Sequence, residues 1–160
     1  IMPSLVGSEM CIRDRFNIVT PDHAYFGQKD GQQLAVIKRM VRDLNMDIEI
    51  VGCPIIREED GLAKSSRNTY LSSEERKAAL ILSKTVALGK ELAKTEKDAN
   101  KVVEAMKKNI ETEPLAKIDY VEAVDALSMA PVEKLEGTCM LAMAVYIGKT
   151  RLIDNTLINE

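Results

Sequence analysis

Hydrophobic and polar positions change period along the chain, and each change marks an element. After Pro21-Asp22, the unbroken run His23-Ala24-Tyr25-Phe26 ends at Gly27 and predicts a buried strand. From Asp30 the period becomes helical. Leu34, Ile37, Val41 and Leu44 recur at helical spacing and form one apolar face. Asp30 with Gln33 predicts a capping box at the start of this helix. Ile48 and Ile50 then alternate with Asp47 and Glu49, a strand over 47–51 bounded by Gly52 and Pro54. Strand, helix, strand over 22–56 predicts a βαβ unit with parallel strands.

The pattern changes after Arg57. Glu58-Glu59-Asp60-Gly61 is a turn signal, and the polar stretch Lys64-Ser65-Ser66-Arg67-Asn68 follows it. Ser72 with Glu75 predicts a second capping box, opening one long helix with Ala79, Leu82, Val86, Gly89 and Ala93 on one side. Asp98 caps another helix, with Val102, Met106 and Ile110 facing inward and Pro114 stopping it. Residues 118–124, 139–147 and 152–158 read as strands, the last two joined by a hairpin-like Gly148-Lys149-Thr150. Helices followed by antiparallel strands predict a small α+β domain over 57–160, beside the βαβ region over 16–56. Residues 1–15 show no clear period. The string SLVGSEMCIRDR resembles translated sequencing-adapter read-through, which implies an unrelated leader; the alternative is a genuine arm or helix end.

Composition narrows the class. Of 160 residues, 46% are hydrophobic and 29% charged, enough apolar content for a folded globule. A net charge of −3 argues against broad binding to nucleic acid or anionic membranes, yet leaves room for a local cationic pocket. Cys11, Cys53 and Cys139 are scattered and read as reduced thiols of a cytoplasmic protein. A single histidine, His23, argues against structural zinc and against chemistry needing paired histidines, and it is assigned no catalysis. The longest apolar run, 139–147, is too short to span a bilayer.

Candidate chemistry sits in two polar segments. Gly27-Gln28-Lys29-Asp30 falls where a strand ends and a helix begins, the usual ligand position of a parallel α/β sheet. There Gly27 would admit a close approach to the backbone, Lys29 would add charge, and Asp30 could accept from ribose hydroxyls. The alternative is a plain turn, a solvated lysine and a helix cap. In the second segment, Lys64, Ser65, Ser66 and Arg67 combine charge, hydroxyls and a planar guanidinium suited to phosphate oxygens. The alternative there is a polar linker with Arg67 paired to Glu58 or Glu59.

Taken together, FNIVTPDHAYFGQKDGQQLAVIKRMV, EIVGCPIIREEDGLAKSSRNTYLSSEERKAA and the ending GKTRLIDN resemble the pantothenate synthetase (pantoate–β-alanine ligase) family over about residues 16–160. The resemblance implies a partial Rossmann-like nucleotidyltransferase domain followed by the α+β domain. In that family class, the Ser-Ser-Arg turn stands in for the Lys-Met-Ser-Lys-Ser loop of class I aminoacyl-tRNA synthetases. It also implies a reaction in which pantoate attacks the α-phosphate of ATP, with Mg2+, and the amine of β-alanine then displaces AMP. Carried over by motif, Gly27, Gln28, Lys29 and Asp30 bind ATP, with Lys29 on the phosphates and Asp30 on the ribose. Gln33 matches the residue that binds pantoate, and Ile56 the residue whose backbone meets adenine. Lys64, Ser65, Ser66 and Arg67 match the loop that grips the phosphates. Lys29 and Arg67 are the catalytic candidates, because joining two anions requires cations to offset their repulsion.

The implied partners are pantoate, β-alanine and ATP, with a homodimer for the complete enzyme and no nucleic acid or membrane. Gln28 departs from the family's more usual glutamate, and Lys64 from its leucine or methionine. The family's N-terminal histidine motif and a further pantoate-binding glutamine are absent from these residues, so the chain alone is expected to be inactive. The competing classes are a non-catalytic nucleotide-binding or assembly module and a related nucleotidyltransferase acting on another acid.

Overall fold

The computed structural model of the protein describes residues 3–159, and the chain divides into two compact units between Pro54 and Ile55. In the first unit, α1 (Pro3–Val19) leads into β1 (His23–Gly27), a short 3-10 turn (Gln28–Asp30), α2 (Gly31–Asp43) and β2 (Glu49–Cys53). The strands pair in parallel, with His23 opposite Glu49 and Gly27 opposite Cys53. The expected βαβ arrangement is therefore present. Leu34, Ala35, Ile37 and Val41 are buried on α2. Phe16 of α1 joins Ile37 and Val41 in one cluster, against which Ala24, Phe26, Ile48 and Ile50 pack. Phe16 meets Phe26 edge to face, with ring centroids 6.2 Å apart.

Several expectations for this region change. Residues 1–15 show no clear period, with a leader and a helix end as the two readings, and α1 occupies Pro3–Val19. Its local sequence carries no strong apolar stripe, and what ties it down is the tertiary contact of Phe16 and Ile12. The first strand is not buried: exposure alternates along it, and Tyr25 is 67% exposed. Both helices pack on the Ala24–Phe26 side of the strand pair, so His23 and Tyr25 face away from them. The expected Asp30–Gln33 capping box does not form. Asp30 leaves the 3-10 turn with φ −91° and ψ 56°, outside the extended conformation that aims a cap side chain at the first N–H groups. Leu44, the C-cap of α2, lies past the apolar face and is exposed.

The second unit packs α3 (Ser73–Ala78), α4 (Leu80–Leu92) and α5 (Ala99–Ile110) with an antiparallel sheet in the order β3-β4-β5, formed by Ala116–Asp125, Cys139–Ile147 and Thr150–Ile158. Leu82, Val86, Val102, Met106 and Ile110 meet Leu141, Met143, Val145 and Ile147 in one core. The long helix expected after Ser72 is two: the chain breaks at Ala79 (ψ −21°), and α4 resumes at Leu80. Helix α5 ends at Ile110, and Pro114, which disfavours the helical region at Glu113, keeps it from continuing. The two N-caps expected in this unit both form. Ser72 and Glu75 make a reciprocal capping box, and Asp98 accepts from the N–H groups of Asn100 and Lys101.

Two glycines carry packing that a side chain would break. A Cβ on Gly89 would come within 2.7 Å of Met106 Sδ, so its absence lets α4 and α5 approach. Gly148 opens the β4–β5 turn at φ +57°, and a Cβ there would collide with the Glu75 carboxylate. Gly148→Ala is therefore expected to destabilise the protein by about 2 kcal/mol, combining left-handed strain with a disturbed cap. Urea denaturation followed by circular dichroism would measure it, and an unchanged midpoint would refute the account.

Cys11, Cys53 and Cys139 are free, and burial pushes the Cys139 thiol up. Among the described residues, no helix is long and apolar enough to cross a membrane.

Candidate functional site

In the first unit, Gly27 is the last residue of β1, at the carboxyl end of the parallel pair, and Gln28, Lys29 and Asp30 make the turn into α2. Gln33 sits in the first turn of α2. The five residues are thus gathered where a strand end meets a helix N-terminus. Gly27 has φ −70° and ψ 131°, a conformation open to any residue. A Cβ on Gly27 would meet nothing within 4 Å, so neither backbone strain nor internal packing calls for glycine here. Gln28 lies over the second strand, where a Cβ on Gly52 would meet its Cγ and Nε2 at 3.6 Å. His23 pairs with Glu49 across the strands at 3.1 Å, away from this turn.

In the second unit, residues 56–64 fold back on themselves. Lys64 N donates to the Ile56 carbonyl at 2.9 Å and Glu58 N to the Leu62 carbonyl at 2.8 Å. Buried Leu62 and Ala63 fix this segment to the core. Ile56 itself is 71% exposed. Ser65 is the N-cap of a short 3-10 helix (Ser66–Tyr70), and its Oγ accepts from Arg67 N at 3.3 Å. Lys64, Ser66 and Arg67 are exposed. A hollow is lined by Arg57, Glu58, Glu59, Asp60, Lys64, Ser65 and Ser66, together with Asn68, Thr69 and Arg76.

The cations around this hollow are sorted into two groups. Arg57 makes two bonds to Asp154, at 2.7 and 3.0 Å, with the Asp154 side chain 1% exposed. Arg76 Nη2 lies 2.9 Å from Glu58 Oε2 and 2.6 Å from Asp60 Oδ2. Partial burial pushes the Asp60 carboxyl up, but the Leu62 N–H and the Arg76 guanidinium outweigh it and hold the group below the usual carboxylate range. Lys64 and Arg67, by contrast, make no ion pair among the described residues. The linker alternative required Arg67 to pair with Glu58 or Glu59, and Glu58 is instead bound by Arg76 and by Asn68. Asn68, Arg76 and the Arg57–Asp154 pair received no role from the sequence. Their partners lie too far along the chain for spacing to reveal them.

A parallel βαβ unit with a polar strand-end turn, joined to an α+β unit bearing a cationic turn, defines a class of two-part α/β proteins. A family model described as pantoate-beta-alanine ligase matches residues 7–157, and the chain belongs to that family. The pantothenate synthetase of Enterococcus faecalis is 66% identical over 141 residues, covering 88% of this chain and 50% of that relative. The pantothenate synthetase of Clostridium acetobutylicum is 67% identical with the same coverage. A crystal structure of pantothenate synthetase from Thermus thermophilus superposes with TM-score 0.88 at 38% identity, over 94% of this chain and 54% of that one. The chain spans about half the length of the relatives it matches. A further structure is the Francisella tularensis pantoate-beta-alanine ligase, complexed with beta-gamma ATP and beta-alanine. It superposes with TM-score 0.62 at 28% identity, over 93% of this chain and 48% of that one.

Proposed function

We propose that these residues serve an ATP-dependent ligase that condenses pantoate with β-alanine through a pantoyl adenylate. The carrying observation is the sorting of charge around the second turn: neighbouring arginines are taken up by carboxylates, while Lys64 and Arg67 are left for an anion. The Francisella relative, described with a nucleotide and β-alanine, supports the same substrates here. In the first step a pantoate carboxylate oxygen bonds to the α-phosphorus, and the bond to the bridging oxygen breaks, releasing pyrophosphate. In the second, the β-alanine nitrogen bonds to the acyl carbon, the bond to AMP breaks, and the amine gives up its proton.

In this reading, Lys29 offsets phosphate charge, Asp30 accepts from the ribose and Gln33 orients pantoate. Lys64, Ser65, Ser66 and Arg67 hold the phosphates whose charge grows as pyrophosphate leaves. The exposed segment at Ile56 meets the adenine, where its carbonyl is already bonded to Lys64 N. Mg2+ enters with ATP as part of the substrate, bound chiefly by phosphate oxygens and water. The cytoplasmic location and the homodimer belong to the same proposal.

Two experiments test it. The length that the relatives carry beyond this chain can be supplied by joining the N-terminal half of the Enterococcus faecalis relative to it. AMP formation is then expected to require both pantoate and β-alanine. Nucleotide binding with no AMP formed would favour a non-catalytic module, and AMP formed with another acid a different ligase. Separately, Gly27→Ala is expected to leave stability within about 0.5 kcal/mol, since its Cβ meets nothing, while weakening ATP binding about tenfold. Equal ATP affinity in calorimetry would remove the role given to that backbone.

A further inference from the structure

Asn68 closes the base of the cationic turn. Its Nδ2 donates to the Ala63 carbonyl at 3.1 Å and to Glu58 Oε1 at 2.8 Å. The residues bracketing Lys64–Arg67 are therefore tied to each other and to Glu58. The other oxygen of Glu58 accepts from Arg76 Nη2, which also reaches Asp60. Arg76 stands on α3, whose Ser72–Glu75 capping box fixes where that helix begins. One guanidinium thus serves two carboxylates that line the same hollow as Lys64, Ser65 and Ser66. Without it, Glu58 and Asp60 would place two negative charges beside a bound polyanion. With it, these three groups sum to one negative charge, and Glu59 is the further carboxylate at the hollow.

We infer that Arg76 is a positioning residue for the phosphate turn: it takes up the charge of Glu58 and Asp60 beside the Lys64–Arg67 loop. This rests on the phosphate role of the turn proposed above. Arg76 itself need not touch the nucleotide. Its effect is to set the local charge beside the Lys64–Arg67 loop. An anion approaching the turn then meets Lys64 and Arg67 without two open carboxylates behind them.

The test uses the full chain of 160 residues and inorganic pyrophosphate, with affinity measured by calorimetry at fixed ionic strength. Arg76→Met is expected to weaken binding about tenfold. Combining it with Asp60→Asn restores the original net charge and is expected to bring affinity back to within about threefold of the parent. Asp60→Asn alone leaves Arg76 on Glu58 and is expected to tighten binding about threefold. A purely structural arginine would not be rescued by a second substitution that restores no bond, so failure of the double variant overturns the inference. Should Arg76→Met fail to fold by circular dichroism, Asp60→Asn decides: unchanged or weaker binding overturns it. Loss of binding in Arg67→Ala with none in Arg76→Met removes this inference alone. No saturable binding in the parent chain removes the phosphate reading and this inference with it.

Discussion

Replacing Asp154 by alanine is expected to cost the second unit about 3 kcal/mol of stability. Asp154 projects from β5 with its side chain 1% exposed, and both of its carboxylate oxygens are held by Arg57. Oδ1 also accepts from Asn155 N at 2.9 Å. Arg57 Nη1 reaches the Gly61 carbonyl at 3.1 Å, so the pair pins the 57–61 turn to the sheet. Truncating the acid leaves a guanidinium without its counter-charge. Because Arg57 remains 30% exposed, water offsets part of that loss, which puts the cost at the lower end of the range for a broken buried pair. Removing both charges, with Arg57→Met and Asp154→Leu, is expected to recover much of the stability, since neither partner is then left alone. The chain has no tryptophan, so far-UV circular dichroism in urea is the suitable readout. A single variant as stable as the parent would show that the pair carries no net energy.

The second large effect is functional. In the ligase completed with a relative's N-terminal half, Lys29→Ala and Arg67→Ala are each expected to slow pantoyl adenylate formation about a hundredfold or more. In the proposed reaction, forming the adenylate would bring a carboxylate to a polyphosphate, with charge then accumulating on the departing pyrophosphate. A cation that meets this charge acts more strongly in the transition state than in the bound ground state, so kcat should fall more than KM rises. Arg67 is exposed and makes no ion pair among the described residues, so Arg67→Ala should leave the urea midpoint almost unchanged. That combination separates a role in binding charge from a role in holding the fold. Near-normal AMP formation in either variant would withdraw the corresponding residue from the mechanism.

Much of the fold was legible in the residues. The core strand Cys139–Ile147 was readable to its ends, because its apolar run is bounded by Gly148 on one side and a polar turn on the other. The caps at Ser72 and Asp98 were readable because each depends on partners within three residues. The Asp30 cap shared that pattern and failed, since the 3-10 turn before α2 held its backbone in another conformation. The burial of β1 was misread because an apolar strand does not reveal on how many faces it is covered. Helix α1 was legible only as an alternative, because no periodic stripe marks it; Ile12 and Phe16 hold it by tertiary contact with the cluster of Ile37, Val41 and Phe26.

By itself, the sequence determined most of the elements from β1 onward, their order, and the stock of groups available for chemistry: two polar turns with lysines, serines and an arginine. Only the tertiary structure decided how those charges are shared. Arg57 goes to an aspartate 97 residues away, Arg76 to Glu58 and Asp60, and Lys64 and Arg67 to none among the described residues. The reason is physical. Helical and strand periods arise between near neighbours along the chain, whereas an ion pair is chosen by distance in space, and that distance is set only once the core has packed.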